Sequence, residues 1–323
     1  MPSISRFGQY IKLTIKDNKK AVVLETDSLR VDFDIRNIVG WVRGKVSIYN
    51  LNPETIKRIL GSECYVTLSV SLHDQPLVVL ADGLYVSNAI DVFQVPDNVT
   101  TLYCYSKLKK TFLEQALIRY VDKPSLENIM NDIVDAVTLP GIVQYVNFPE
   151  DPVKYISELP LLPTQKLEGT VQSCLEDLGC QFRFNHYVEG DDLKLVYKVS
   201  PKNEGSTGLS TSTDKIKLHT DNMRSNPVLG PAMVQIHSNL DPKIKPGSVL
   251  SIEGLLTASN NMSKDKLELT ENYLSIVAGY DNYQTYSVAH TGSNFTKDWS
   301  TKATGLAPTK GTNAPIGRNT WFK

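Results

Sequence analysis

Hydrophobic and polar positions alternate most clearly between residues 28 and 60. Leu29, Val31, Phe33 and Ile35 interleave with Arg30, Asp32, Asp34 and Arg36. That is the period of a strand with one wet face. Residues 42–49 continue as a partner strand. Asn52 then caps a helix that opens on Pro53, where a missing N–H costs nothing. Ile11, Leu13 and Ile15 mark an earlier strand. Residues 65–72, 77–83, 84–89 and 99–105 mark later ones, with turn signals at 73–76 and 96–98. Regular short strands of this kind predict a barrel or sandwich over residues 1–107.

The pattern changes in the middle of the chain. Leu126, Ile129, Met130, Ile133, Val134 and Val137 share one helical face, with Ser125 placed to cap it. A second helix is predicted over 167–178, from Leu167, Val171, Cys174, Leu175 and Leu178, with Gly179 as its stop. Strands over 180–184 and 193–199 follow, joined by a hairpin through Glu189-Gly190-Asp191-Asp192. Residues 201–216 are rich in Ser, Thr and Gly and read as a loop. From 222 onward β character returns, with strands expected at 233–238, 271–279 and 283–291 and a Pro246-Gly247 turn between the first two. The chain therefore divides into a β unit (1–107), an α+β insert (108–221), a second β unit (222–304) and an arm (305–323). The arm has little periodicity but carries Trp321 and Phe322. It reads either as a segment ordered by a partner or as a floppy tail, and the two large apolar side chains favour the former.

Composition adds exclusions. With 34 basic and 35 acidic residues the formal net charge is -1, which argues against broad, sequence-independent nucleic-acid binding. Lys107, Lys109 and Lys110 form a local basic group that reads as a solvated turn. No stretch approaches the roughly 20 apolar residues of a membrane span, so no stable membrane binding is expected. No secretory signal is visible, and folding in a cytoplasm is expected. Cys64, Cys104, Cys174 and Cys180 form no CxxC pair, and the five histidines are scattered. Free thiols and no metal site are the reading.

Candidate chemistry is sparse. His290 near Trp299 lacks an accompanying nucleophile or carboxylate pair and reads as a core or turn histidine. Glu168, Glu176 and Asp177 read as the wet side of the second helix. No nucleophile elbow, phosphate loop or zinc-protease motif is present. Hence no catalytic, cofactor-binding or metal-ligating residue is assigned. Trp41, between Gly40 and Val42, is read as an exposed loop aromatic at an interface or as a plain core anchor.

Several phrases, in order, resemble one family. Residues 28–60 end in Ser47-Ile48-Tyr49-Asn50-Leu51-Asn52. Residues 239–249 contain Leu240-Asp241-Pro242-Lys243-Ile244-Lys245-Pro246-Gly247. Tyr286, Val288, His290 and Gly292 precede Trp299 and Thr301. The helix-hairpin segment between the β units also fits. Together they resemble the baseplate or tail hub proteins of contractile-tailed bacteriophages, over residues 8–304.

The resemblance implies a mainly β fold with an α+β insert: two tail-tube-like β-barrel domains plus a helix-hairpin region. It implies a homotrimer whose six barrels match a hexameric tail tube above and hold a central spike protein below. Tail tube or tube-initiator proteins, the tape-measure protein and other baseplate proteins would be partners. DNA would pass only transiently, through a near-neutral or acidic channel. The protein would reside in the virion tail. Trp41, Trp321 and Phe322 are the candidate partner-binding residues. Gly40 and Trp41 stand where such proteins carry a more polar loop, and residues 258–267 exceed a tight hairpin. The alternative is a tail-associated cell-wall-degrading or carbohydrate-binding β-protein.

Overall fold

A computed structural model describes residues 9–72, 76–93, 98–122, 125–146, 148, 164–198, 215–230, 233–251 and 282–306. The first unit comprises β1 (Gln9–Asp17), β2 (Val22–Thr26), β3 (Val31–Ile38), β4 (Trp41–Tyr49), α1 (Pro53–Leu60), β5 (Cys64–Leu72), β6 (Val78–Phe93) and β7 (Val99–Ser106). The alternation read in the sequence becomes burial. Ile11, Leu13 and Ile15 of β1, and Val31, Phe33 and Ile35 of β3, all lie in one core. Helix α1 starts as predicted: the Asn52 side chain accepts from the Glu54 N–H at 2.9 Å, and Pro53 occupies the first turn. Residues expected as two strands, 77–83 and 84–89, form the single long β6, which carries register shifts against both neighbours.

The middle of the chain builds its own core. It contains α2 (Lys107–Glu114), β8 (Ala116–Asp122), α3 (Leu126–Val137), β9 (Val143–Val146), β10 (Thr164–Thr170), α4 (Val171–Gln181), β11 (Phe184–Glu189) and β12 (Asp192–Tyr197). Strands β8 and β10 form an antiparallel ribbon, and β11, β12 and β9 a second sheet. Helix α3 has the predicted bounds, and Ser125 Oγ accepts from the Asn128 N–H at 3.2 Å. The second helix differs from expectation at both ends. Leu167 belongs to β10, and the helix begins after Thr170, whose hydroxyl accepts from the Ser173 N–H. Gly179 is not the stop. It is buried within α4, where a Cβ would lie 2.7 Å from the Phe184 carbonyl oxygen. The turn out of α4 falls instead at Arg183, at φ 55°, so Cys180 is helical and the next strand starts later than expected. The three lysines at 107, 109 and 110 lie on α2 and not in a turn.

The last unit comprises β13 (Lys215–Lys217), a 3-10 turn (Thr220–Asn222), β14 (Val228–Gly230), β15 (Met233–Asn239), β16 (Val249–Ser251), β17 (Asn282–Ser293) and β18 (Ser300–Leu306). The strand expected at 271–279, the segment 258–267 and the arm residues Trp321 and Phe322 lie outside the described residues.

The two β units share a 13-stranded sheet. Its main path runs β14-β15-β18-β17-β3-β4-β7-β6-β5-β1-β2. Strand β17 joins the units. Its first residues pair with β16, and its later residues, from Val288 to Ser293, pair with β3. The pairing with β18 shifts register between Thr285 and Ser287, where the partner on the other side changes. A bulge bends a strand and lets it serve two neighbours. Separate apolar cores underlie the first unit, the insert and the last unit, although Leu240 and Trp299 of the last unit pack into the first core.

Candidate interaction surfaces

The wet face of the shared sheet carries an in-register row. Cross-strand pairing aligns His237 with Lys302, Lys302 with Ala289, Ala289 with Arg36, and Arg36 with Arg43. The row continues through Tyr105, Tyr85 and Tyr65 to Lys16. Ring centroids are 5.1 Å apart for Tyr85–Tyr105 and 5.9 Å for Tyr65–Tyr85. Such spacing gives edge-to-face and tilted contacts. Arg36 is held by Asp34, with the shortest contact at 2.8 Å, which raises its pKa through the hydrogen bond and the charge. Trp41 is neither a loop residue nor a core anchor. It is the first residue of β4, half-buried on this wet face, with the Arg43 guanidinium 5.1 Å from its ring.

The insert docks against both β units through its β11–β12 hairpin. The Gly40 N–H donates to the His186 carbonyl at 2.8 Å. The His186 ring is buried and lies 3.4 Å from Gln172 Oε1, and burial, assisted by Lys198, lowers its pKa to about 4. A Cβ at Gly40 would come within 2.8 Å of Gln172 and 3.1 Å of His186, and its φ is +84°, so glycine is required at this contact. On the other side, Gln284 Nε2 donates to the Tyr197 carbonyl at 3.0 Å and Tyr187 Oη donates to the Tyr286 carbonyl at 3.3 Å. Burial raises the Tyr187 pKa.

A cavity of about 250 Å³ lies where the three units meet. Ile35, Val42 and Leu84 line it from the first unit, Val188 from the insert, and Ile244 and Val288 from the last unit. Lys245 and Glu189 form an ion pair at its edge. His290 is buried on its wall, with Nδ1 3.0 Å from Thr301 Oγ1. Desolvation lowers its pKa to about 4, despite a backbone hydrogen bond at Ile244. It is therefore a neutral histidine bonded within the sheet.

Two exposed apolar groups flank these features. On the β8–β10 ribbon, Leu117, Val121 and Leu167 face the core while Ile118 and Tyr120 are 73% and 64% exposed. Glu168, read as part of a helix, sits on β10 opposite Ile118 and pairs with Lys166. Glu176 accepts from Gln172, and Asp177 is exposed. At the start of β6, Leu77, Val78 and Val79 are 47%, 41% and 50% exposed. The cysteines are free, with Cys180 exposed. Among the described residues, no group of three or more His, Cys, Asp or Glu is placed to hold a metal, and no helix is long and apolar enough to cross a membrane.

No family model and no curated protein sequence matches the chain. Solved structures do match. The tail protein from Neisseria meningitidis MC58 superposes with a TM-score of 0.54 at 9% identity, covering 92% of this chain and 96% of that one. The prophage MuSo2 43 kDa tail protein from Shewanella oneidensis gives 0.53 at 8% identity, covering 92% and 98%. The chain has the fold of phage tail proteins. The same fold extends to secretion machinery. The E. coli c3393 protein, a component of the type VI secretion system, gives 0.52 at 9% identity over 92% of this chain and 77% of that one. At these identities the tail-protein fold is held by the pattern of strand pairing and core burial with few shared side chains. The mainly β architecture and the tail-protein likeness read from the sequence are thus found in the structure. The row on the wet face and the cavity were not legible in the sequence, because both depend on strand register and docking.

Proposed function

We propose that the chain is a structural hub of a phage tail or baseplate. In this reading three copies form a ring in which the two β units of each chain make six similar positions. The ring would join a hexameric tail tube to a central spike and leave a passage for the tape-measure protein and DNA. The protein would act mechanically and reside in the virion, after assembly in the host cytoplasm. Each chain would then comprise two tube-like β units separated by the insert: the one expected over 1–107 and the one expected over 222–304, to which β13 (Lys215–Lys217) and the end of β18 at Leu306 also belong.

The observation that carries this reading is the shared sheet. β17 and β3 pair the two β units side by side within one chain, so three chains supply six sheet units. Among the described residues, β2 and β14 end the main path of this sheet. Unpaired strand edges are ready templates for pairing with another copy. The similarity to tail proteins supports the same role. Light scattering and electron microscopy of the purified chain, with and without a candidate spike, test it. A trimeric ring that retains the spike is expected. A monomer at micromolar concentration that ignores the spike would overturn it.

A further inference from the structure

The cavity between the three units has features that its structural role does not use. Ser106 caps the start of α2 by position, yet its hydroxyl makes no capping hydrogen bond. Ser106 is 3% exposed, lines the cavity, and its Oγ has no hydrogen-bond partner among the described residues. Asn37 Oδ1, also on the cavity wall, is buried and likewise without a partner among those residues. Buried polar atoms in native proteins normally find a partner. The rest of the wall is largely aliphatic, and the exposed Leu77–Val79 stretch leads to it. A site of this kind takes an apolar group that carries a hydrogen-bond donor.

We infer that the cavity is the seat of Trp321, delivered by the chain's own arm, with Phe322 covering the exposed Val78 and Val79. Size agrees: a cavity of roughly 150 Å³ accepts benzene, so about 250 Å³ accommodates an indole. The indole N–H is a donor without acceptor capacity, which suits Asn37 Oδ1. Charge agrees as well. Residues 307–323 contain Lys310, Arg318 and Lys323 and no acidic residue. The cavity lining includes Asp82, as well as Glu189 paired with Lys245, and the hairpin turn adds the exposed Asp191.

Reach favours the same chain. Leu306 ends β18, and Ala303 in that strand pairs with Val288 on the cavity wall. Three strand residues span about 10 Å. Fourteen residues separate Leu306 from Trp321, and a random-coil chain of that length has a root-mean-square span of about 20 Å. Tethering at such a span gives an effective concentration in the millimolar range, well above a micromolar neighbour. The arm would thereby clamp the insert to both β units, whatever the oligomeric state.

The full chain labelled with 5-fluorotryptophan tests this by fluorine NMR. The sequence has three tryptophans, and Trp321→Phe assigns the third signal. With a gadolinium chelate in solution, the Trp321 signal is expected to broaden at least fivefold less than free 5-fluorotryptophan, approaching the buried Trp299. Asp82→Lys with Asp191→Lys, both on exposed sites, is expected to restore most of the broadening. In a Cys180→Ser background, Val79→Cys with Asn319→Cys is expected to form a disulfide within one chain on mild oxidation. A Trp321 signal as accessible as the free amino acid would overturn the inference. So would a disulfide that joins two chains, which assigns the pocket to a neighbour's arm, or protection without that disulfide, which places Trp321 elsewhere.

Discussion

Trp299 stands edge-on to Phe33, with ring centroids 5.8 Å apart and planes at 83°. One ring belongs to the last β unit and the other to the first, so this pair lies in the core that the two units share. The indole N–H donates to the Ser293 carbonyl, which satisfies its single polar atom. Gly292 makes the approach possible: a Cβ there would lie 2.7 Å from Phe33 and 3.2 Å from Trp299. Close by, the Asn294 side chain accepts from the Val31 N–H and donates to the Leu29 carbonyl, extending the β17–β3 pairing beyond the strand.

Trp299→Ala is expected to destabilise the protein by about 3–5 kcal/mol, the range for truncating a buried aromatic. Gly292→Ala is expected to cost about 1–3 kcal/mol through overpacking against Phe33. Urea titration measures both. A Trp299→Ala variant within 1 kcal/mol of the parent would mean that the shared core does not couple the units.

The two buried histidines predict acid sensitivity. His186 and His290 have pKa values lowered by burial to about 4, against about 6.5 in an unfolded chain. Below pH 6.5 the unfolded state therefore binds protons that the folded state refuses. Stability is fully present above pH 6.5 and declines as the pH falls toward 4, by up to roughly 3 kcal/mol per histidine. Thermal melts across this window should show the decline, and replacing both rings with glutamine should flatten it. An unchanged slope in that double variant would remove the histidines as its cause.

Helix caps in the insert give a local test. Ser125 and Thr170 each accept a backbone N–H of the first turn of α3 and α4. Ser125→Ala and Thr170→Ala are each expected to cost about 1 kcal/mol. Hydrogen exchange should report faster opening of the helices concerned, while β3 and β4 in the first core change little. Uniform acceleration across the chain would show instead that the insert does not open separately.

Gly247 controls the docking of the insert. Its φ is +87°, and a Cβ would lie 2.8 Å from Val196 on β12. Its N–H donates to the Thr285 carbonyl at 2.8 Å, beside the bulge in β17. Gly247→Val is expected to strain the backbone and push the β11–β12 hairpin away, costing more than 1 kcal/mol. Limited proteolysis should then cut at the Gly190 turn faster than in the parent. Equal cutting rates would show that the hairpin tolerates the added side chain.

The sequence by itself determined the local elements whose signals are short-range. Period-2 burial in β1 and β3, the Asn52-Pro53 start of α1 and the Ser125 cap of α3 all rest on neighbouring residues, and the structure has them. The placing of Trp41 in a loop or in the core missed its position in β4, because whether a strand begins at residue 41 depends on pairing with β3. The helix predicted from Leu167 failed for a related reason. Leu167 fits a helical face and a strand face equally well, and pairing with β8 made it part of a strand. Gly179 looked like a helix stop, but its role is to let Phe184 approach α4. The joining of the two β units through β17, the Arg–Tyr row and the three-sided cavity belong to tertiary structure alone. Each depends on register between strands far apart in the chain, and a local pattern carries no information about which distant edge a strand will meet.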